Sequence, residues 1–338
     1  MLRRLFILVI ALMALVAVAA LFMHNRLGAR YRGYEGNEVF VDLPAGTGVS
    51  EMARRLADAG VVSDPLTFRI AARLSGADRH LQAGEYRFAE PMTAFQVVSR
   101  IASGDVFTHP ITFPEGLTIK EMSGVFEKSG LGTAAAFEKA ATDVTLAAGF
   151  DPGAKSLEGY LFPSTYALGR QAGAAGAVRA MVEAFDHAFD PELRTEAAAR
   201  GMTLREIVTL ASLIEKETAQ AAERPLVSAV YHNRLAQRIP LQCDPTVVYA
   251  LMRAGKWTGN IRKQDLQIKS PFNTYVYPGL PPTPIASPGR ASLEAAVRPA
   301  DVPYLYFVSR NDGTHVFAAT LEEHNRNVAK WQVQFWKK

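Results

Sequence analysis

The stretch Thr203–Thr218, which reads TLREIVTLASLIEKET, decides how the C-terminal part of this 338-residue chain is interpreted. It opens with a capping box, in which Thr203 is the N-cap and Glu206 reaches back to the N-cap amide. The apolar residues that follow recur at intervals of three and four, so the pattern predicts one helix running to about Gln220. Leucines on the opposite side indicate that neighbouring elements cover most of the helix circumference.

This helix carries two glutamates on different faces. At about 100° per residue, Glu215 lies in the middle of the apolar face, whereas Glu217 falls on the other side with Lys216, where it can contact solvent or form a salt bridge. Burial among apolar side chains disfavours the ionised form of a carboxyl group, so a buried carboxyl can hold and donate a proton near neutral pH. Glu215 is therefore the better catalytic candidate. The alternative is a structural ion pair of Glu215 with Arg224 or Arg234.

Four further stretches on predicted loops or helix ends supply, between them, aromatic, hydroxyl and acidic residues. Aromatic faces beside hydrogen-bonding groups suit a sugar ring, whose faces are apolar and whose rim is polar. Six prolines between Pro271 and Pro288 stiffen the last of these regions. Turn chemistry and aromatic core packing explain each stretch equally well, but together the stretches favour a cleft. They are residues 158–166, 231–234, 242–246 and 270–275.

The N-terminus holds an apolar run of 19 residues, Leu5–Met23. As a helix with a rise of about 1.5 Å per residue it would reach roughly 28 Å, enough to span a bilayer. The apolar part of a signal peptide is only about 7 to 15 residues long, so the run favours an uncleaved anchor over a signal peptide or a buried core helix. Arginines flank it on both sides and leave its orientation open. We expect residues 1–26 to be the tip and transmembrane anchor and residues 27–38 to be a tether.

A unit of strand, turn and helix occurs twice in the chain, at an offset of 70 residues. The turn is LPAG at residues 43–46 and FPEG at residues 113–116, and the apolar positions after each turn match without a gap. A shorter relative lies between them, around residues 86–101. Units of this kind bind ligands in some proteins and only pack in others, so spacer and glycan-binding roles both remain open for them.

Composition excludes several classes of protein. With 49% hydrophobic and 21% charged residues the chain is globular, and its formal charge of +4 is not gathered into a basic block, which argues against nucleic acid as a partner. The single cysteine, Cys243, rules out an internal disulfide and a cysteine-rich zinc site. The zinc-protease, P-loop, dinucleotide-binding and nucleophile-elbow motifs are absent from the sequence.

Several of these motifs, taken together and in order, resemble the MltG (YceG-like) family of endolytic murein transglycosylases. The likeness extends from about Val39 to the end of the chain and includes the preceding anchor. It is carried by EGY at residues 158–160, EKET at 215–218, DPT at 244–246, SPFNTY at 270–275 and EHN at 323–325.

The resemblance implies an α+β fold, with a LysM-like α+β region at residues 39–110 and a mixed α+β catalytic domain at residues 111–338. It implies a single-pass anchor in the cell inner membrane, with a cytoplasmic tip and the catalytic domain in the periplasm. The implied partners are peptidoglycan glycan strands, the membrane and peptidoglycan synthases. No metal or organic cofactor is required.

The reaction implied is non-hydrolytic cleavage between MurNAc and GlcNAc that leaves a 1,6-anhydroMurNAc end and terminates strand elongation. The first glutamate of the EKET motif, Glu215, is the implied catalytic residue and would serve as acid and then as base. The residues expected to bind the sugars are Glu158, Tyr160, Asp244, Asn273 and Tyr275.

Two other functions fit the same pattern. In a muramidase, a second carboxylate, Asp244 or Glu158, would activate a water and the product would be a reducing sugar. In a non-catalytic scaffold of the cell-wall synthesis machinery, the repeat region would bind glycan and no bond would be cleaved.

Overall fold

The apolar run forms one helix, α1, over Leu2–Gly28 in the computed structural model, which describes residues 2–334. Its segment Phe6–Gly28 is long and apolar enough to cross a membrane, and its side chains from Phe6 to Phe22 are exposed in the protein. The helix therefore fits the predicted single-pass membrane anchor.

The chain divides into two units, and the first comprises the residues up to 109 together with residues 167–173. Strand β1 pairs with β2 in antiparallel fashion, with Val39 opposite Phe88 and Leu43 opposite Gly84. Helices pack against this pair around a core that includes Leu56, Phe68 and Tyr86. The elements are β1 (Val39–Leu43), α2 (Val49–Asp58), α3 (Pro65–Leu74), β2 (Gly84–Phe88) and α4 (Ala94–Ser103).

The predicted tether at residues 27–38 is instead packed onto this first unit. Leu27, near the end of α1, is buried in the core of the unit. The backbone of Tyr31 exchanges hydrogen bonds with that of Met92, and the N–H of Gly33 donates to the carbonyl of Gly60. A segment tied down by one buried apolar side chain and several backbone pairs does not behave as a free linker.

The second unit comprises residues 110–166 and the described residues from 174 onward. The boundary falls after residue 109, and residues 167–173 return to the first unit. The chain changes unit within two paired strands, β3 (Thr108–Thr112) and β4 (Thr165–Gly169). The other elements are α5 (Ile119–Lys128), α6 (Ala134–Ala140), α7 (Gly173–Ala188), α8 (Pro191–Ala199), α9 (Leu204–Glu217), α10 (Arg224–Ala236), α11 (Asp244–Arg253), α12 (Arg290–Val297), β5 (Tyr306–Ser309), β6 (His315–Ala318) and α13 (Leu321–Val328), which continues as a π-helix over Ala329–Gln334.

The predicted repeat is confirmed as two strand, turn and helix units. Helices α2 and α5 begin and end 70 residues apart. The turn before each contains a glycine with positive φ, +79° at Gly46 and +75° at Gly116. This backbone conformation favours glycine, which explains why both turns keep it.

Helix α9 is the central element of the second unit. Every residue from Ile207 to Ile214 is buried, as the predicted covering on most sides requires, and α8, α10, α11 and α12 pack against it. The predicted capping box is present, with Thr203 as N-cap. The helix ends at Glu217 rather than near Gln220, because Thr218 adopts extended backbone. Glu217 is therefore the last helical residue.

Candidate functional site

A cavity of about 250 Å³ lies at the C-terminal end of α9. Six of its lining residues come from motifs that the sequence singled out, among them Glu217 at the end of α9, Asp244 at the start of α11 and Tyr275 in the proline-rich region. Arg234 and His324 add two basic side chains to the wall. A space that combines acidic, aromatic and basic groups suits a polar ligand with apolar faces.

Glu217 is partly accessible to solvent but lies deep among packed side chains. The hydroxyl of Tyr231 donates a hydrogen bond of 3.0 Å to its Oε1. Burial raises the pKa of Glu217; the charge of Asp244 raises it further, and hydrogen bonds from Cys243 and Tyr231 oppose the rise. The sequence predicted solvent or salt-bridge contact for Glu217; the residue keeps part of its surface accessible, and Tyr231 of α10 and Cys243 before α11 pack on that side of the helix.

Asp244 and Tyr275 form the polar junction of several cavities. The hydroxyl of Tyr275 donates a hydrogen bond of 2.6 Å to Oδ1 of Asp244. Asp244 also lines two further cavities, of about 360 and 490 Å³, and Tyr275 lines the larger of these. The structure thus brings together two residues that the sequence predicted to bind sugar.

Glu215 lies in a different environment, with only 8% of its side chain exposed. The Nη2 atom of Arg224 is 3.7 Å from its Oε1, and the N–H of Gly289 donates a 3.0 Å hydrogen bond to its Oε2. The two contacts join the Glu215 side chain to the guanidinium of Arg224 and to a backbone donor at the N-cap of α12. The predicted burial of Glu215 is correct, and the ion pair with Arg224 that was its alternative explanation is also present.

Glu115, in the second repeat turn, completes this cluster. Its carboxylate lies 4.0 Å from the Arg224 guanidinium. Burial and the charge of Glu215 raise the pKa of Glu115, while Arg224 opposes the rise. Sequence reasoning did not select Glu115; the available signal was that the FPEG turn has an acid where the matching LPAG turn has Ala45.

Glu158 is buried, and its carboxylate accepts hydrogen bonds from other groups of the protein. It accepts hydrogen bonds from the N–H of Ile119, the first residue of α5, and from the hydroxyl of Tyr249. Burial raises the pKa of Glu158 to about 7, although both hydrogen bonds oppose the rise. The carboxylate thus caps the N-terminus of α5, a helix end that favours a negative group.

Tyr160 and Asn273 are also buried rather than facing a cavity. The Tyr160 hydroxyl donates a 2.6 Å hydrogen bond to Asp151. The Asn273 amide donates to the carbonyls of Leu266 and Ile268, and its oxygen accepts from the N–H of Tyr275. The predicted sugar contacts of Glu158, Tyr160 and Asn273 therefore do not agree with their placement. Asn273 supports the loop that carries Tyr275.

Trp257 is a candidate that sequence reasoning missed. Its partly exposed side chain lines both the 360 Å³ and the 490 Å³ cavity. The signal available was a tryptophan between two glycines, in a segment that also carries several basic residues. Within residues 2–334, no group of three or more His, Cys, Asp or Glu side chains is arranged to hold a metal ion.

An N-terminal helix that is long and apolar enough to cross a membrane is followed by two α+β units, and the second unit holds a group of cavities lined by acidic and aromatic residues. Residues 41–330 match the model of the YceG-like family. The chain belongs to that family.

Named relatives agree with this assignment. The chain is 32% identical over 309 residues to the endolytic murein transglycosylase of Bacillus subtilis (strain 168), with 87% of this chain and 84% of the relative covered. It is 31% identical to the endolytic murein transglycosylase of Streptococcus pneumoniae serotype 2 (strain D39), covering 86% of this chain and 58% of that longer protein. The crystal structure of a YceG-like protein from Listeria monocytogenes is similar, with a TM-score of 0.59, 31% identity and coverage of 86% of this chain and 98% of that one.

Proposed function

We propose that this chain is a peptidoglycan lytic transglycosylase, a lyase that cleaves nascent glycan strands internally between MurNAc and GlcNAc. The observation that carries the proposal is the cavity at the end of α9, where Glu217 shares a wall with Asp244 and Tyr275. The names of the Bacillus and Streptococcus relatives support it. The product is a 1,6-anhydroMurNAc end, which terminates elongation of the strand.

A single carboxyl group serves both halves of this reaction. It donates its proton to the glycosidic oxygen as the bond from that oxygen to C1 breaks. The carboxylate that results accepts the proton of the C6 hydroxyl as O6 closes onto C1. No water is consumed, and the carboxyl group ends protonated, as it began. The acetamido group of the substrate shields the positive charge that develops at C1, as in substrate-assisted glycosidases.

Two carboxyl groups of the EKET motif compete for this role. The sequence assigns it to Glu215, but the Glu215 carboxyl group already contacts Arg224 and the N–H of Gly289, and Glu215 does not line the 250 Å³ cavity. Glu217 borders the cavity, and burial raises its pKa, which favours the protonated form that a general acid needs. The geometry therefore favours Glu217 as the acid and base, with Asp244 and Tyr275 orienting the sugar.

The decisive experiment compares Glu217→Gln with Glu215→Gln in the full-length protein, in detergent, on isolated glycan strands. Each substitution keeps the volume and removes the transferable proton. We expect Glu217→Gln to lower kcat by about a thousandfold, in the range for a lost general acid, and Glu215→Gln to retain most turnover. The reverse result would return the role to Glu215.

Mass spectrometry of the products separates the rival functions. Anhydro ends, lighter by one water than reducing ends, support the transglycosylase. Reducing ends would identify a muramidase, in which Asp244 activates water beside Glu217, since the two share the cavity. Glycan binding without any cleavage, unchanged in both variants, would identify a scaffold.

We also propose that α1 anchors the protein in the inner membrane with residues 29–338 in the periplasm. The 23-residue apolar segment of α1 supports the anchor, and a cell-wall substrate requires this orientation. Proteolysis of intact spheroplasts should remove the C-terminal region, and protection from protease would contradict the orientation. Co-purification from membranes tests the peptidoglycan synthases as partners.

A further inference from the structure

We propose that the 490 Å³ cavity lined by Trp257, Arg262 and Lys263 binds the carboxylate-bearing peptide attached to the muramic sugar. This inference rests on the proposed function and adds a recognised feature of the substrate to it. Asp244 and Tyr275 line this cavity and also the cavity that contains Glu217. The two spaces therefore adjoin across one hydrogen-bonded pair, and a ligand that reaches Glu217 extends past that pair.

The two cations of this cavity are available to a ligand. Arg262 and Lys263 are exposed, and none of the ion pairs formed within residues 2–334 includes either of them. Arg298, in the same unit, shows the contrast, since it pairs with both Glu192 and Glu196. The carboxylate in the cavity wall, Asp244, already accepts the hydrogen bond from Tyr275.

Trp257 gives the same cavity an aromatic surface. Its partly exposed indole lines the 490 Å³ space and the neighbouring 360 Å³ space. An indole face packs against the apolar face of a sugar, and cations beside it then meet groups attached to that sugar. The cavity wall thus combines the polar pair Asp244 and Tyr275, an aromatic surface and two positive charges.

The segment that carries the cations is held in place from within. The buried amide of Asn273 donates hydrogen bonds of 3.0 Å to the carbonyls of Leu266 and Ile268. The carboxylate of Asp265 accepts from the N–H of Arg262 at 2.8 Å. A loop that is ordered before binding loses little conformational entropy when a ligand arrives, so it suits selective recognition.

The chemistry of peptidoglycan identifies the ligand. The muramic sugar carries a short peptide that ends in free carboxylates, whereas a glycan strand stripped of its peptides has none. Arg262 presents a planar fork of donors that matches a carboxylate, and Lys263 adds a point charge. We infer that these cations select peptide-bearing strands over stripped ones.

The test uses the full-length protein in detergent with two substrates, glycan strands that retain their peptides and the same strands stripped by an amidase. The preference is the ratio of kcat/KM on the two substrates. We expect the double variant Arg262→Gln/Lys263→Gln to lower this ratio about fivefold, the effect of two exposed charge contacts, and the loss should shrink at high salt. The matched control is Lys128→Gln/Lys139→Gln, which removes two exposed charges from α5 and α6 and should keep the ratio.

Calorimetric binding separates this inference from the proposed function. The probes are a muramyl disaccharide with its peptide and the same disaccharide without it. Peptide-dependent affinity that falls in the double variant supports the cavity assignment even if no strand is cleaved. Equal affinity for both probes, or a ratio unchanged in the double variant, overturns the inference while leaving a cleaving enzyme intact.

Discussion

The hydroxyl of Tyr275 donates a 2.6 Å hydrogen bond to Oδ1 of Asp244, and these two residues line both the cavity that contains Glu217 and its larger neighbour. Burial and this hydrogen bond raise the pKa of Tyr275, so the phenol stays protonated and continues to donate. The bond fixes the Asp244 carboxylate at the junction of the cavities.

Removal of this donor should impair activity more than stability. We expect Tyr275→Phe to lower kcat/KM about tenfold, because a charge-assisted hydrogen bond contributes roughly 1.5–3 kcal/mol and water replaces part of it. Tyr277→Phe is the matched control, since that ring is exposed. Kinetics on glycan strands measure the effect. Equal kcat/KM in the two variants would show that the bond does not order the site.

Glu158 makes stability depend on pH in the neutral range. Its pKa rises to about 7 in the folded protein, above the unfolded value of about 4.3, so the native state binds the extra proton. Native stability should fall by a few kcal/mol as pH rises from about 4.3 to about 7 and then level off. Glu158→Gln should flatten this part of the profile in urea unfolding at several pH values. If the pH profile of stability is the same in this variant as in the wild type, Glu158 is not the group that causes it.

Arg224 holds two carboxylates that would otherwise repel each other. Arg224→Gln should lower the free energy of unfolding by about 2 kcal/mol at pH 8, because Glu215 and Glu115 lose their shared cation. The loss should shrink as the pH falls, since burial and the charge of Glu215 raise the pKa of Glu115, and a protonated Glu115 no longer repels Glu215. Arg298→Gln, which removes exposed ion pairs, serves as control and should cost less than about 1 kcal/mol. A loss independent of pH would exclude repulsion as its cause.

Two glycines close together in sequence should respond in opposite directions to alanine. Gly116 has φ of +75°, so Gly116→Ala should destabilise the protein by about 1–2 kcal/mol. Gly124 lies inside α5 with open space around its position, so Gly124→Ala should stabilise it by about 0.5–1 kcal/mol. Thermal unfolding of both variants checks the pair. Similar shifts in the same direction would mean that backbone conformation does not govern these positions.

Local patterns in the sequence predicted much of the fold. The N-terminal apolar helix, the two repeat units and the N-cap of α9 at Thr203 depend on residues within a few positions of one another, so periodicity and capping reveal them. The packing of residues 27–38 was not predicted, because it depends on partners such as Met92 and Gly60 from elsewhere in the chain.

The candidate site was predicted only in part, because it too depends on contacts between residues that are far apart in the sequence. A helical wheel locates a side chain only relative to its own helix, so it placed Glu215 and Glu217 on different faces. It could not show that Tyr231 and Cys243 pack against the face that carries Glu217. Motif resemblance drew attention to Glu158, yet only long-range contacts show that it caps α5. Buried polar residues of this kind have no periodic signature.

The matching turns at residues 43–46 and 113–116 contain a position at which the side chain can change while the backbone stays the same. In both turns a proline and a glycine with positive φ determine the backbone conformation. The residue between them, Ala45 or Glu115, is therefore not needed to form the turn. One copy keeps a neutral alanine at Ala45, and the other places an acid, Glu115, within reach of Arg224. A repeated turn of this kind therefore offers a position at which a charged residue can replace a neutral one without a change in the fold.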